Sequence, residues 1–341
     1  MVFVAYQSSM MTIDLNAKNK EAASIIKLSE NLFVPRIASL LSFCTLSFAL
    51  LTVYVSAFSE TLSAFCNINN DFLIILCGIM LFAALSLNVS CFQKVNSALV
   101  LTLLVIVGFA VMRIHSDAGD VSLKYFESNV TTPELLAFLP IGFTSFGVQN
   151  ICPHVYRDLN GDRKLISRAF IIGTIIPALV YVVFLSCVFE NIITRDPMFF
   201  EKLQNHQVSV GELIKFLCNS SDNLFMELIF KTLTLFAIAT SAIGIGLGLL
   251  KSFQEMLSEK SNNRTIAAAI ICLVPILVGI IIPNAFINVL SFGGMIATVF
   301  VIFVPHYLLK VRNLNEHRFG NNICLAFGIL IVLCELSRYT M

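Results

Sequence analysis

Leu139-Pro140-Ile141-Gly142-Phe143-Thr144-Ser145-Phe146-Gly147-Val148-Gln149-Asn150-Ile151-Cys152-Pro153 sets two prolines and two glycines into one apolar stretch. Each proline removes a backbone donor, and each glycine weakens a helix interior. Thr144, Ser145, Gln149 and Asn150 add hydrogen-bonding side chains to the same stretch. Backbone groups freed at membrane depth must be satisfied by protein or by a water-filled cavity. Transporters build midplane sites this way: half-helix N-termini face a substrate carboxylate, and unwound carbonyls meet ions or an amino group. The plainer reading is a kinked helix packed against neighbours, because Gly and Pro are common in membrane helices.

The rest of the chain says why a membrane is the medium. The chain has 341 residues, of which 57% are hydrophobic and 13% charged, with mean hydropathy +0.86. An ordinary soluble domain carries roughly 25% charged residues. A water-soluble fold of this size could not hide so much apolar surface, so the solvent for most of the chain is lipid. A net charge of +1 gives no global field to attract nucleic acid.

A membrane helix needs about 20 mostly apolar residues. That rule predicts spans at 37–59, 72–92, 95–112, 135–153, 169–189, 232–250, 265–283, 285–309 and 319–336, the last carrying Glu335 near its end. The sixth begins earlier, near Leu224, if Glu227 and Lys231 sit in the headgroup region. The stretch 1–13 is too short to span alone. It has no basic n-region and no small-residue cleavage site, so it does not read as a signal peptide. Assigning loops alternately collects most of the 22 Lys and Arg on one side, including Lys18, Lys27 and Arg36, then Arg157, Arg163, Lys164 and Arg168, then Lys310, Arg312 and Arg318. By the positive-inside rule that side, with the amino end, is cytoplasmic. The segment between the fifth and sixth spans is then external, and 196–209 within it reads as a solvated loop that could hold a short helix.

Few other residues suggest chemistry. The ten cysteines include no CxxC pair. Most fall in apolar spans, where a thiol acts as a small hydrophobe. Cys66 and Cys218 lie near the external face, where a disulfide could join them. No HExxH, GxSxG or P-loop occurs, so no enzyme chemistry, metal or cofactor is expected. Gly244 and Gly248 form a GxxxG, which favours close helix packing. Thr240 and Ser241 before it either line a cavity or bond the preceding turn. Gly293-Gly294 suggests a second break or a tight crossing. Glu60 reads as an interfacial carboxylate that could also carry a coupling proton. His154 and His306, near cytoplasmic ends, read as solvated histidines.

Phe143-Thr144-Ser145-Phe146-Gly147, Asn160-Gly161-Asp162-Arg163-Lys164-Leu165 and Phe170-Ile171-Ile172-Gly173-Thr174-Ile175-Ile176-Pro177 with Tyr181 resemble the aromatic amino-acid permease family. So do Ala239-Thr240-Ser241, Gly244 and Gly248-Leu249. Span order and loop lengths agree over nearly the whole chain. The resemblance implies an all-α polytopic membrane protein of the bacterial inner membrane, with the inverted-repeat architecture of LeuT-type transporters. It implies import of tyrosine, tryptophan or both, by proton symport with alternating access. The substrate-binding residues it suggests are Thr144, Ser145, Phe146, Gly147, Gln149, Thr240 and Ser241. The segment 144–147 would be unwound, Phe146 would stack on the aromatic ring, and Gln149 would stand where relatives carry histidine. Lys251 stands where relatives often carry an acidic residue.

In that architecture the broken fourth span pairs with a helix five positions earlier, which this sequence does not contain. The expected organisation is therefore 1–35 as a remnant of the second membrane helix and a cytoplasmic loop, 36–113 as the rest of the first repeat, 133–310 as the second repeat, and 319–337 as an additional helix. The first helix and part of the second would be missing, either through a start at an internal methionine or through real shortening. A transport-inactive relative or fragment is the alternative reading. A membrane-embedded transferase is a remote one, because no cluster of His, Asp or Glu gathers at one face.

Overall fold

The structure, a computed structural model, describes residues 1–19, 22–66, 68–86, 108, 132–147, 151–205, 208–219, 224–256, 264–282, 286–314 and 318–338. The expected third span and Gln149 lie outside these, Gly108 apart. All regular structure among the described residues is helical. The helices are α1 Val2–Asn19, α2 Ile25–Leu28, α3 Phe33–Cys66, α4 Asn70–Ser86, α5 Thr132–Thr144, α6 Cys152–Asp158, α7 Arg163–Arg195, α8 Pro197–Gln204, α9 Val210–Asn219, α10 Leu224–Met256, α11 Arg264–Ile281, α12 Phe286–Thr298, α13 Val304–Val311 and α14 Arg318–Arg338. Among the described residues, five segments are long and apolar enough to cross a membrane: Phe33–Cys66, Arg163–Arg195, Arg264–Ile281, Asn288–Val311 and Arg318–Ser337. Asn70–Ser86 and Thr234–Leu250 are shorter apolar helices. The helix of the sixth expected span begins at Leu224, and its apolar part is Thr234–Leu250.

The chain divides into two compact units, 1–46 with 128–179 and 287–341, and 47–127 with 180–286. In the first unit, α1 packs against α6, α13 and α14. The stretch 1–13, expected to be too short to span alone, is the start of this 18-residue helix, which is not among the candidate spans, and much of it is buried. Its polar residues explain how it tolerates burial. Ser9 Oγ donates to the Ala5 carbonyl at 2.8 Å, and Asn16 Nδ2 donates to the Thr12 carbonyl at 3.0 Å. Asn16 Oδ1 accepts from the Ala23 amide at 2.7 Å, which ties down the turn after the helix. Hydroxyls that return their protons to the previous turn leave no unpaired donor in an apolar setting. Met10 and Ile13 join Cys152, Ile166 and Phe170 in one apolar cluster that fixes α1 to α6 and α7.

The motif at 160–165 forms the turn between α6 and α7. Asn160 and Gly161 both adopt left-handed backbone, φ +50° and +71°, where glycine is least strained. Asp162 Oδ1 then accepts from the amides of Lys164 at 2.9 Å and Leu165 at 3.1 Å, capping the first turn of α7.

In the second unit, α4, α10 and α11 pack together. Arg264 Nε donates to the Leu85 carbonyl at 3.1 Å, satisfying one of the last carbonyls of α4. A Cβ on Gly246 would lie 3.0 Å from the Leu85 side chain, so this glycine is the packing one in its run. The segment between α7 and α10 holds two short helices. Asp196 caps α8 by accepting from the Phe199 amide at 3.0 Å. Ser209 and Glu212 form a reciprocal capping box on α9, with amide contacts of 2.9 and 3.2 Å. The rings of Phe199 and Phe216 stack at 4.5 Å, pinning the two helices together. No disulfide joins Cys66 and Cys218.

Candidate functional site

The broken helix is the feature from which the site is built. α5 contains Pro140 and ends at Thr144. Beyond it the backbone tightens: the Phe146 amide donates to the Phe143 carbonyl at 3.1 Å and the Gly147 amide to the Thr144 carbonyl at 3.2 Å. These are three-residue bonds in place of the four-residue ladder, so the α-helix closes through a narrower turn. The next helix, α6, begins at Cys152, with a proline in its first turn and no side-chain cap. Ser145 and Gly147 are exposed here, and Thr144 and Phe146 are half-buried.

Thr144 holds the end of α5 in place. Its Oγ1 donates to the Pro140 carbonyl at 2.9 Å, with the Leu290 carbonyl of α12 at 3.4 Å as a second acceptor. Ser145 Oγ donates to the Ile141 carbonyl at 3.1 Å. The α12 backbone passes close by because residue 294 is glycine. A Cβ there would overlap the Pro140 carbonyl oxygen and lie 2.6 Å from the Pro140 carbonyl carbon and 2.8 Å from Thr144 Oγ1. Of the two readings of Gly293-Gly294, the structure shows the tight crossing, since α12 stays helical through both glycines. The ladder changes further on, at the π-helical Val299–Phe303. Pro305 follows directly and has no amide to give, which accounts for a register change at this point.

The same unit holds a residue that was not singled out as a candidate. Glu335 on α14 is 1% exposed and accepts a hydrogen bond from Ser291 Oγ of α12. Its Oε1 has no hydrogen-bond partner among the described residues. The signal for it was present as an acidic residue inside an apolar span. Its burial depended on which helix α14 packs against, and that is not written in the span itself. His306 also departs from expectation: its Nδ1 is buried without a hydrogen-bond partner among the described residues. His154 is exposed as expected, 3.0 Å from Arg157.

Thr240 and Ser241 belong to the second unit. Both hydroxyls donate to the Ala237 carbonyl, at 3.1 and 2.9 Å, which is the second of the two roles open to them. The Tyr54 hydroxyl of α3 lies beside Ser241. Tyr54 was missed because nothing in its own stretch marks it. It also lines a cavity of about 190 Å³ with Phe58, Met80, Ala239, Ala242 and Ile243. A Cβ added to Gly244 or Gly248 would meet nothing within 4 Å among the described residues, so the GxxxG makes no close helix contact there. Among the described residues no group of three or more His, Cys, Asp or Glu could hold a metal ion.

Comparison with known proteins places these features in a family. The family model described as the tryptophan/tyrosine permease family matches residues 1–336. A tryptophan-specific transport protein of Pseudomonas aeruginosa is 26% identical over 198 residues, covering 58% of this chain and 46% of that protein. A glutamine transporter of Aliivibrio fischeri is 23% identical over 279 residues, covering 77% and 66% of the two chains. A tyrosine-specific transport system of Haemophilus influenzae is 25% identical over 199 residues, covering 56% and 48%. The chain spans about half the length of most of these relatives. A helix that ends at Thr144 with another beginning at Cys152, a set of long apolar helices and a family match over nearly the full sequence agree, and the chain belongs to the tryptophan/tyrosine permease family.

Proposed function

We propose that this chain takes part in the import of aromatic amino acids, tyrosine or tryptophan, across a bacterial inner membrane by proton symport with alternating access. The observation that carries the reading is the interruption after Thr144, where one helix stops and tightens and the next begins at Cys152. Such a break leaves backbone groups that an amino-acid headgroup can satisfy. Thr144, Ser145, Phe146 and Gly147 are the residues we assign to that contact, with Gln149 beside them in the sequence. Thr240 and Ser241, together with Tyr54, are the polar residues we assign on the second unit. We read the architecture as a LeuT-type inverted repeat, with 36–113 as three helices of the first repeat, 133–310 as the second repeat, and the amino end cytoplasmic. The relatives named for tryptophan and tyrosine transport support the aromatic substrate.

The relative named for glutamine transport covers more of this chain than the other two, so glutamine belongs in the test. The experiment is uptake of labelled tyrosine, tryptophan and glutamine into proteoliposomes with an imposed inward proton gradient. Aromatic uptake that a protonophore abolishes is the expected result. Uptake of glutamine alone would overturn the substrate. Uptake indifferent to the protonophore would overturn proton coupling, and no uptake of any of the three would favour a transport-inactive relative.

A further inference from the structure

Away from the helix break, the first unit contains a cavity of about 550 Å³ lined by Tyr6 and Met10 of α1 and by Arg163, Lys164, Ser167 and Arg168 of α7. Three cations therefore border one cavity within less than two helical turns. Arg163 is already paired with Asp14 of α1, at 2.9 Å. Asp162, the other nearby carboxylate, directs Oδ1 to the backbone amides that it caps. Lys164 and Arg168 make no ion pair among the described residues. The Tyr6 and Ser167 hydroxyls share one hydrogen bond at 2.8 Å, so one proton of the pair is left to donate. The cavity thus offers two unpaired cations and a hydroxyl donor, which is a setting for an anion with several acceptor oxygens.

The surface next to this cavity says where the anion comes from. Lys164 and Arg168 stand on one helix face with Ile171, Ile172, Ile175 and Leu179, at the spacing of successive turns. Ile172 is 56% and Leu179 60% exposed, although both lie on an apolar spanning helix. From Arg168 to Leu179 the helix rises about 16 Å, close to the hydrocarbon depth of one leaflet, half of about 30 Å. A basic pocket at the foot of an apolar stripe of this length matches a phospholipid, with charge at one end and acyl chain at the other.

We infer that this cavity binds the headgroup phosphate of an anionic phospholipid, with Lys164 and Arg168 on the phosphate oxygens, the Tyr6–Ser167 pair donating one hydrogen bond, and an acyl chain along Ile172, Ile175 and Leu179. Nothing in this assignment depends on which amino acid the protein carries. The lipid braces α1 against the start of α7, the same joint that Asp14–Arg163 closes from within the protein.

The test is native mass spectrometry of the purified full chain with phosphatidylglycerol and phosphatidylcholine added at equal concentration. Phosphatidylglycerol is expected to be retained preferentially, and millimolar inorganic phosphate to leave it in place. In K164Q/R168Q its affinity falls about thirty-fold, and in K164Q alone about five-fold, while phosphatidylcholine binding is unchanged. Both side chains are exposed, and a thermal melt confirms that each variant is folded. K310Q, an exposed lysine at the end of α13, serves as the comparison and retains full affinity. Equal retention of the two lipids, an unaffected double variant, or an equal loss in K310Q would overturn the site. Displacement by inorganic phosphate would reassign the cavity to a soluble phosphate and overturn the lipid.

Discussion

Replacing Gly294 by alanine tests whether the crossing of α5 and α12 holds the broken helix in position. Two effects oppose each other. Alanine is favoured over glycine within a helix by about 1 kcal/mol. Against that, the added Cβ meets backbone, overlapping the Pro140 carbonyl oxygen and sitting 2.6 Å from its carbonyl carbon. Ordinary van der Waals contact begins near 3.4 Å, so relieving the carbonyl-carbon contact alone parts the helices by about 0.8 Å, and the closer carbonyl oxygen demands more. Neither partner is the tip of a flexible side chain, and overpacking of this kind costs about 1–3 kcal/mol. The same separation lengthens the 3.4 Å approach of Thr144 Oγ1 to the Leu290 carbonyl. The chain has no tryptophan but has buried cysteines outside any disulfide, among them Cys77, Cys272 and Cys324, so a thiol-reactive fluorogenic dye reads its thermal unfolding. G294A should melt at lower temperature than the unmodified protein and should slow tyrosine uptake. G244A provides the opposite case, because its Cβ would meet nothing within 4 Å, and it should be neutral or stabilising by up to about 1 kcal/mol. Equal melting shifts for the two variants would refute the packing argument.

Three further outcomes follow from named contacts. Ser291→Ala removes the hydroxyl that donates to a carboxyl buried at 1% exposure and should cost about 1–3 kcal/mol in the same melt, whereas S291A/E335L, which removes both partners, should cost less than the sum of its single variants. Gly161→Ala places a Cβ on left-handed backbone and Asp162→Ala removes the cap of α7, so each should lower stability by about 1–2 kcal/mol while Asp162→Asn stays closest to the unmodified protein. Thr144→Val keeps shape but loses the hydroxyl bonded to Pro140, and it should raise the KM for aromatic uptake about two- to ten-fold with the melting temperature little changed, a result that unchanged kinetics would contradict.

Much of the organisation was legible in the sequence. An interruption within 135–153 was readable because prolines and glycines act on their own backbone within a few residues, while the end of α5 at Thr144 and the start of α6 at Cys152 came from the structure. The earlier start near Leu224 and a short helix within 196–209 were each one of two readings that local charge left open, and the structure has a helix in both places. The reading of 1–13 as too short to span alone agrees with the structure, where α1 is not among the segments long and apolar enough to cross a membrane, because Ser8, Ser9, Thr12 and Asn16 interrupt its apolar run. Their bonds to the preceding turn let α1 continue as a buried helix regardless. The GxxxG at Gly244 was the misleading signal. Small residues permit a close approach without requiring one, and the glycine that packs is Gly246.

The sequence by itself determined the medium, the order of most helices, the interrupted span and the family. Each of these rests on composition, on apolar length or on short motifs, and so on neighbours along the chain. The tertiary structure alone decided that Glu335 meets Ser291, that Gly294 lies on Pro140, that Tyr54 stands beside Ser241 and that α1 joins α7 around a basic cavity. Those partners are separated by tens to hundreds of residues and meet only through helix packing. An isolated span records which residues are apolar, but not which neighbouring helix its polar residues will face.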